Sequence, residues 1–265
     1  MAIDRNRARR AFATYVKAYD PDDPKIALKV AHTWKVAGLC DQIAHQEGFA
    51  PELQDLAWLC GLLHDVGRFE QVRRYDTFYD AKSVSHAALG VEVLFGDARA
   101  QEGAPAQTSM RDFCSDDAYD EAVRQAVGLH SAYELPDDLD ERALALCNVV
   151  RDADKVDILR VNCACPPEDV YGLPEGELRQ SPLSDEVERE FYRHRTVRAD
   201  LRRHPADILV SHACFVWGLV YPTSVRLARE QGFALRMLSR PIDNPETVRR
   251  MAAMHEHMEM WFSGR

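Results

Sequence analysis

The chain reads as an all-α protein, a helical bundle with additional C-terminal helices, on three observations. Alternating Val/Ile/Thr/Tyr runs and Asn-Gly hairpin signals are nearly absent. Apolar residues recur instead at helical spacing along most of the chain. Proline and aspartate stand where first helical turns tolerate or favour them.

The first predicted helix runs from Pro24 to about Gln46, with Leu28, His32, Val36, Leu39 and Ile43 on one stripe and Pro24 in its first turn. The second, Pro51 to His64, is apolar on every side from Leu56 to Leu63, which marks a central helix. Further helices are expected over 85–95, 117–130, 140–153, 186–195, 206–231 and 245–262. Asp116 and Asp117 offer N-caps to the helix over 117–130, and Pro222 breaks the one over 206–231. Two Gly/Pro/Ser-bearing stretches, 96–115 and 163–184, are long for loops and read as lids or binding segments. No internal repeat or low-complexity tract interrupts the pattern. The organisation expected is one all-helical domain over 1–265, its core at about 23–160 and the helices of 185–265 packed on that core.

Composition narrows the function. The 265 residues are 46% hydrophobic and 29% charged, ordinary for a soluble domain, with a formal net charge of -10. That charge argues against a nucleic-acid duplex or an anionic membrane as partner. The arginine-rich N-terminus lacks the apolar core of a signal peptide, and the longest apolar stretch, 208–221, is interrupted by Ser211 and His212 and reads as a buried helix. Seven scattered cysteines without zinc spacing indicate reduced thiols and a cytoplasmic location; Cys163 and Cys165 make a poor metal or redox pair.

Six residues concentrate the chemistry: His32, His64, Asp65, His86, His130 and Asp154. Each falls on an inward helical face or at a helix end, where an unpartnered polar group is costly. Taken singly, each has a plain explanation: His32 as a hydrogen-bonded core histidine, Asp154 as a partner of Arg151 or Lys155, Asp65 as a turn former. Six such coincidences together are less economical than a metal site built from facing helices. One cation can take His32, His64, Asp65 and Asp154. If Asp65 bridges, a second can take its other oxygen with His86 and His130. Two divalent metals about 3.5–4 Å apart can hold a bridging hydroxide as nucleophile while clamping a phosphoryl group. Their identity (Fe, Mn, Mg, Zn, Ni or Co) is left open. Of the other histidines, His45, His194 and His204 are expected at the surface and His212 in the core, while His255 and His257 point to different faces.

The ordered set His32, His64-Asp65 and Asp154 resembles the H…HD…D signature of the HD-domain superfamily of metal-dependent phosphohydrolases. The resemblance lies in His32-Thr33-Trp34-Lys35-Val36-Ala37, in Gly61-Leu62-Leu63-His64-Asp65-Val66-Gly67-Arg68 and in Arg151-Asp152-Ala153-Asp154-Lys155-Val156-Asp157. It covers about Asp23 to Arg160, and more loosely the whole chain, which looks like a bacterial stand-alone HD protein. His86 and His130 resemble the extra ligands of the six-ligand, two-metal branch.

The resemblance implies an all-α core, divalent metals and hydrolysis of a phosphate ester, most often in a nucleotide or a related small metabolite. It places Asp65, Arg68 and Lys155 in catalysis, and Arg68, Arg151 and Lys155 at the substrate, with Arg68 as the phosphate fork. Glu70 is offered as a proton shuttle. Ser131-Ala132-Tyr133 after His130 departs from the cyclic-dinucleotide branch, and Arg68-Phe69 replaces the Glu-Asp pair of alarmone hydrolases. Nothing matches the insertions of deoxynucleotide triphosphohydrolases. The expected partner is a small phosphorylated substrate, with a homodimer left open. Two other readings stand beside this one: a di-iron oxygenase with the same six ligands, and a metal-free binding or signalling module.

Overall fold

The computed structural model describes residues 3–96, 103–105 and 107–264. Among them the protein is all-α, with no strand, and it divides into two compact units, Met1–Asp154 and Lys155–Arg265. Among the described residues no helix is long and apolar enough to cross a membrane.

The first unit contains α1 (Arg5–Val16), α2 (Pro24–Gln46), α3 (Pro51–Leu63), α4 (Val66–Tyr75), α5 (His86–Phe95), α6 (Met110–Phe113) and α7 (Asp120–Leu129). Helix α8 (Glu141–Ala164) starts in it and runs on into the second unit. Capping explains the sharp starts. Asp23 accepts the Lys25 N–H at 2.8 Å with Pro24 in the first turn, and Ser85 accepts that of Ala88 at 3.3 Å. Helix α3 is buried over Leu56–Leu63, as its all-round apolarity demands, and it packs chiefly on α2. Gly61 permits that approach, since a Cβ there would lie 2.7 Å from Cys40 Sγ and 3.0 Å from Ala37 Cα.

Three features of this unit depart from the sequence expectation. Helix α1 was not anticipated, although Asp4 caps it through the N–H groups of Asn6 and Arg7 and Ala8, Phe12 and Tyr15 form its buried stripe. Helix α4 begins at once after Asp65, in a stretch where the sequence reading placed no helix. Helix α8 continues past Ala153 because Val156 and Leu159 extend its buried stripe and no glycine or proline intervenes before Pro166. The expected loop over 96–115 lies partly outside the described residues; its described part includes α6.

The second unit holds α9 (Pro167–Tyr171), α10 (Glu175–Arg179), α11 (Asp185–Tyr192), α12 (Pro205–Ala213), α13 (Pro222–Gln231), α14 (Phe233–Leu238) and α15 (Pro245–Ser263). The expected loop 163–184 is thus partly helical, with Pro167 in the first turn of α9. The long helix over 206–231 breaks earlier than Pro222: α12 stops at Ala213, a 3-10 turn spans Cys214–Gly218, and Pro222 opens α13. Asp207, fully buried, ties α11 to α12 by accepting from the backbone of Ser184, Arg203 and His204 and from the Ser184 hydroxyl. His212 bonds Asn162 and Tyr171. His194 is exposed, yet it stacks on Trp217 and meets His257 Nε2 at 2.7 Å. All seven cysteines are unpaired thiols.

Candidate metal centre

The site is assembled from helix ends. His64 follows the last residue of α3 and Asp65 precedes the first of α4, so a two-residue turn presents both inward. His32 lies mid-way along α2, His86 opens α5, His130 closes α7, and Asp154 lies on α8. The four imidazoles and Asp65 are buried, and the Asp154 side chain is 14% exposed.

The other five side chains gather about the Asp65 carboxylate, and its two oxygens face different partners. Oδ2 lies 3.6 Å from His32 Nε2 and 3.4 Å from His64 Nε2. Those two nitrogens are 3.3 Å apart, and Asp154 Oδ1 stands 3.1 Å from the first and 3.8 Å from the second. Oδ1 lies 3.6 Å from both His86 Nε2 and His130 Nε2, which are themselves 2.9 Å apart. The triads His32/His64/Asp154 and His64/Asp65/His130 each bring three donor atoms close enough to share one ion.

The outer face of the imidazoles is anchored. His64 Nδ1 is 2.8 Å from the Gly61 carbonyl, His130 Nδ1 is 2.8 Å from the Val127 carbonyl, and His86 Nδ1 is 2.6 Å from Asp80 Oδ2. An Nδ1–H donated outward leaves the Nε2 lone pair pointing inward, the arrangement a metal-binding histidine requires. Burial, helped by the Arg68 charge, lowers the His86 pKa to about 4, so the ring is neutral at pH 7 and able to ligate. Burial pushes the Asp65 carboxyl up, but the Lys29 ammonium and the surrounding imidazoles outweigh it and hold it well below the usual range. For Asp154 burial is likewise outweighed, first by the His32 hydrogen bond. Two ionised carboxylates among four nitrogen donors, in a buried setting, fit divalent first-row metals by donor type.

The other expected residues divide. Arg68 belongs to the cluster: its Nε is 3.5 Å from Asp65 Oδ1, while Nη1 donates to Gln71 Oε1, the Phe78 carbonyl and Asp80 Oδ1 at 2.7, 2.7 and 2.9 Å. Arg151 instead donates to the carbonyls of Leu129, Ala132 and Tyr133, capping the end of α7 beside His130. The Lys155 ammonium donates to the Gly218 carbonyl at 2.5 Å.

Glu70 takes a different part from the one expected. It is 1% exposed and accepts two bonds from Arg73, one from Arg74 and one from the Tyr19 hydroxyl, all within 2.9 Å. Tyr19 continues to the Tyr15 hydroxyl at 2.9 Å, so the carboxylate fastens the start of the chain onto α4. A carboxylate so saturated is a structural anchor and not a proton shuttle. Burial pushes its pKa up, yet the bonds from Arg73 and Tyr19 prevail and leave it below its ordinary 4.5. The folded state then binds fewer protons than the unfolded one as pH falls below 4.5. This stabilisation is complete above that value and is lost as pH drops through the folded pKa. Glu70→Gln is therefore expected to lower stability at pH 7 by about 2 kcal/mol. It should also flatten the wild-type fall in melting temperature below pH 4.5, as thermal denaturation across pH would measure.

Sequence reasoning missed two cluster residues. Lys29 donates to Asp65 Oδ2 at 2.6 Å and is 13% exposed; its signal was a place one turn before His32 on the same face of α2. Asp80, in a 3-10 turn between α4 and α5, carried no such signal.

The model of the HD domain family matches residues 30–159, the stretch that holds all six gathered residues. The match marks that stretch, just under half of the chain, as similar to the HD domain. No curated protein and no solved structure matches the chain.

Proposed function

We propose that the chain is a two-metal phosphohydrolase acting on a small phosphate ester, a nucleotide or a related phosphorylated metabolite. The observation that carries this reading is the divided Asp65 carboxylate, one oxygen toward His32 and His64 and the other toward His86 and His130. His32, His64 and Asp154 would hold one cation, His86 and His130 the other, with Asp65 shared. When bound, such a pair supplies Lewis acidity and an activated water.

The chain's own residues supply the rest. Arg68 Nε is buried without a hydrogen-bond partner and faces the cluster, so one N–H is left for a phosphoryl oxygen while Nη1 is pinned. Lys29 brings a second positive charge to the same carboxylate, which suits a site that must accept an anion. Phe78, whose ring lies 5.2 Å from the Lys29 ammonium and 5.7 Å from the Arg68 guanidinium, holds both cations on one apolar surface.

The test loads stripped protein with Mn, Fe, Zn, Ni, Co or Mg in turn and measures phosphate release from a panel of nucleotides and generic phosphate esters. Hydrolysis with two bound equivalents is expected. Arg68→Ala should raise KM by about tenfold or more, the value of one charge-assisted bond, with metal content unchanged. Oxygen uptake by the iron-loaded protein without phosphate release would replace this reading by the oxygenase one.

A further inference from the structure

Between α4 and α5 the chain makes a short strap, residues 76–85, held by one carboxylate. Asp80 Oδ2 accepts from His86 Nδ1 at 2.6 Å and from the His86 backbone N–H at 3.3 Å. Its Oδ1 accepts from Arg68 Nη1 and from Gln71 Nε2, each at 2.9 Å. Gln71, fully buried, closes the arrangement by accepting from Arg68 Nη1 and donating to Ser83 Oγ and the Val84 carbonyl. The two oxygens of Asp80 therefore serve two functional groups that lie 18 residues apart in the chain.

We infer that Asp80 is a positioning residue that aims the His86 imidazole and the Arg68 guanidinium together, so that the second donor set and the phosphate clamp depend on one carboxylate. This inference rests on the two-metal reading above. Its physical content is directional. A carboxylate can only accept, so it requires the His86 proton on Nδ1 and leaves Nε2 as the ligand atom. The same carboxylate holds one arm of Arg68 and leaves Nε turned toward Asp65. An amide of equal size cannot serve both sides. With its oxygen toward Arg68 and Gln71, its NH2 meets a ring nitrogen that must then accept, which moves the imidazole proton onto Nε2. With its oxygen toward His86, its NH2 opposes the Arg68 donor.

Asp80→Asn is therefore diagnostic, and its near-identical shape on a partly exposed strap keeps the fold. Metal content by elemental analysis, affinities by chelator competition, and binding of inorganic phosphate to metal-loaded protein would be compared with wild type. The expected result is two equivalents in wild type, one of them weakened 10–100-fold in Asp80→Asn and the other unchanged, with weaker phosphate binding. Nitrogen-15 NMR of the His86 ring should show the tautomer change in the metal-free protein. Ser83→Ala, which removes the two bonds of the Ser83 hydroxyl, from Gln71 and to the Tyr79 carbonyl, but leaves those of Asp80, should keep both equivalents.

Two equivalents of wild-type affinity in Asp80→Asn would overturn the inference, as would an equal loss in Ser83→Ala, since any loosening of the strap would then suffice. A wild-type protein binding one equivalent would overturn the two-metal reading itself, and that result is visible without any variant.

Discussion

Asp65→Ala is expected to empty the metal centre completely, removing both equivalents and all phosphate release. No other single ligand should do this. Among the described residues, Asp65 alone is seen with an oxygen within 3.6 Å of each of the four imidazole Nε2 atoms. A variant at His130 or Asp154 touches one half of the cluster, so each should cost one equivalent and spare the other. The alanine variant also strips the counter-charge from Lys29, which is 13% exposed, while Arg68 keeps its pairing with Asp80. Unpaired buried cations are unfavourable, so the metal-free variant should lose stability as well. Asp65→Asn keeps the shape but has only one accepting oxygen, and it should retain one equivalent at most. Elemental analysis of the purified variants checks all of this, and two equivalents retained in Asp65→Ala would contradict the shared carboxylate.

Gly67→Ala should be the most damaging single-methyl change in the first unit. A Cβ at Gly67 would fall on the His86 carbonyl oxygen and the Gly90 backbone nitrogen, with Gly90 Cα 2.9 Å away. These are backbone atoms of α5, and they cannot turn aside as the end of a side chain could. Helices α4 and α5 would have to part, carrying His86 with them, at a cost of about 3 kcal/mol or more. Gly61→Ala should cost less, because its nearest obstacle, at 2.7 Å, is the Cys40 side chain. Gly38→Ala, in the middle of α2 with nothing within 4 Å, should be neutral or stabilising by up to about 1 kcal/mol. Denaturant unfolding of the three variants would rank them. A Gly67→Ala protein as stable as wild type would show that α4 and α5 do not approach as closely as described.

Local signals made most of the first unit legible. Pro24 and Pro51 mark the starts of α2 and α3, Ser85 marks that of α5, and apolar spacing carries each helix to its end. The six candidate ligands could be named because polar groups on inward faces are conspicuous in one dimension. Helix caps and periodicity are properties of a few neighbouring residues, so composition and spacing encode them directly.

The same spacing could not show what each polar group meets. Glu70 seemed free to move protons until the fold set Arg73, Arg74 and Tyr19 around it. Arg151 and Lys155 seemed aimed at substrate, and their cations instead reach backbone carbonyls. Lys29 and Asp80 entered the centre only because α2 packs on α3 and α4 on α5. A hydrogen bond between residues far apart in the chain depends on helix packing to within about half an ångström. No periodicity carries that information, because it is the sum of many side-chain contacts and not of any local pattern.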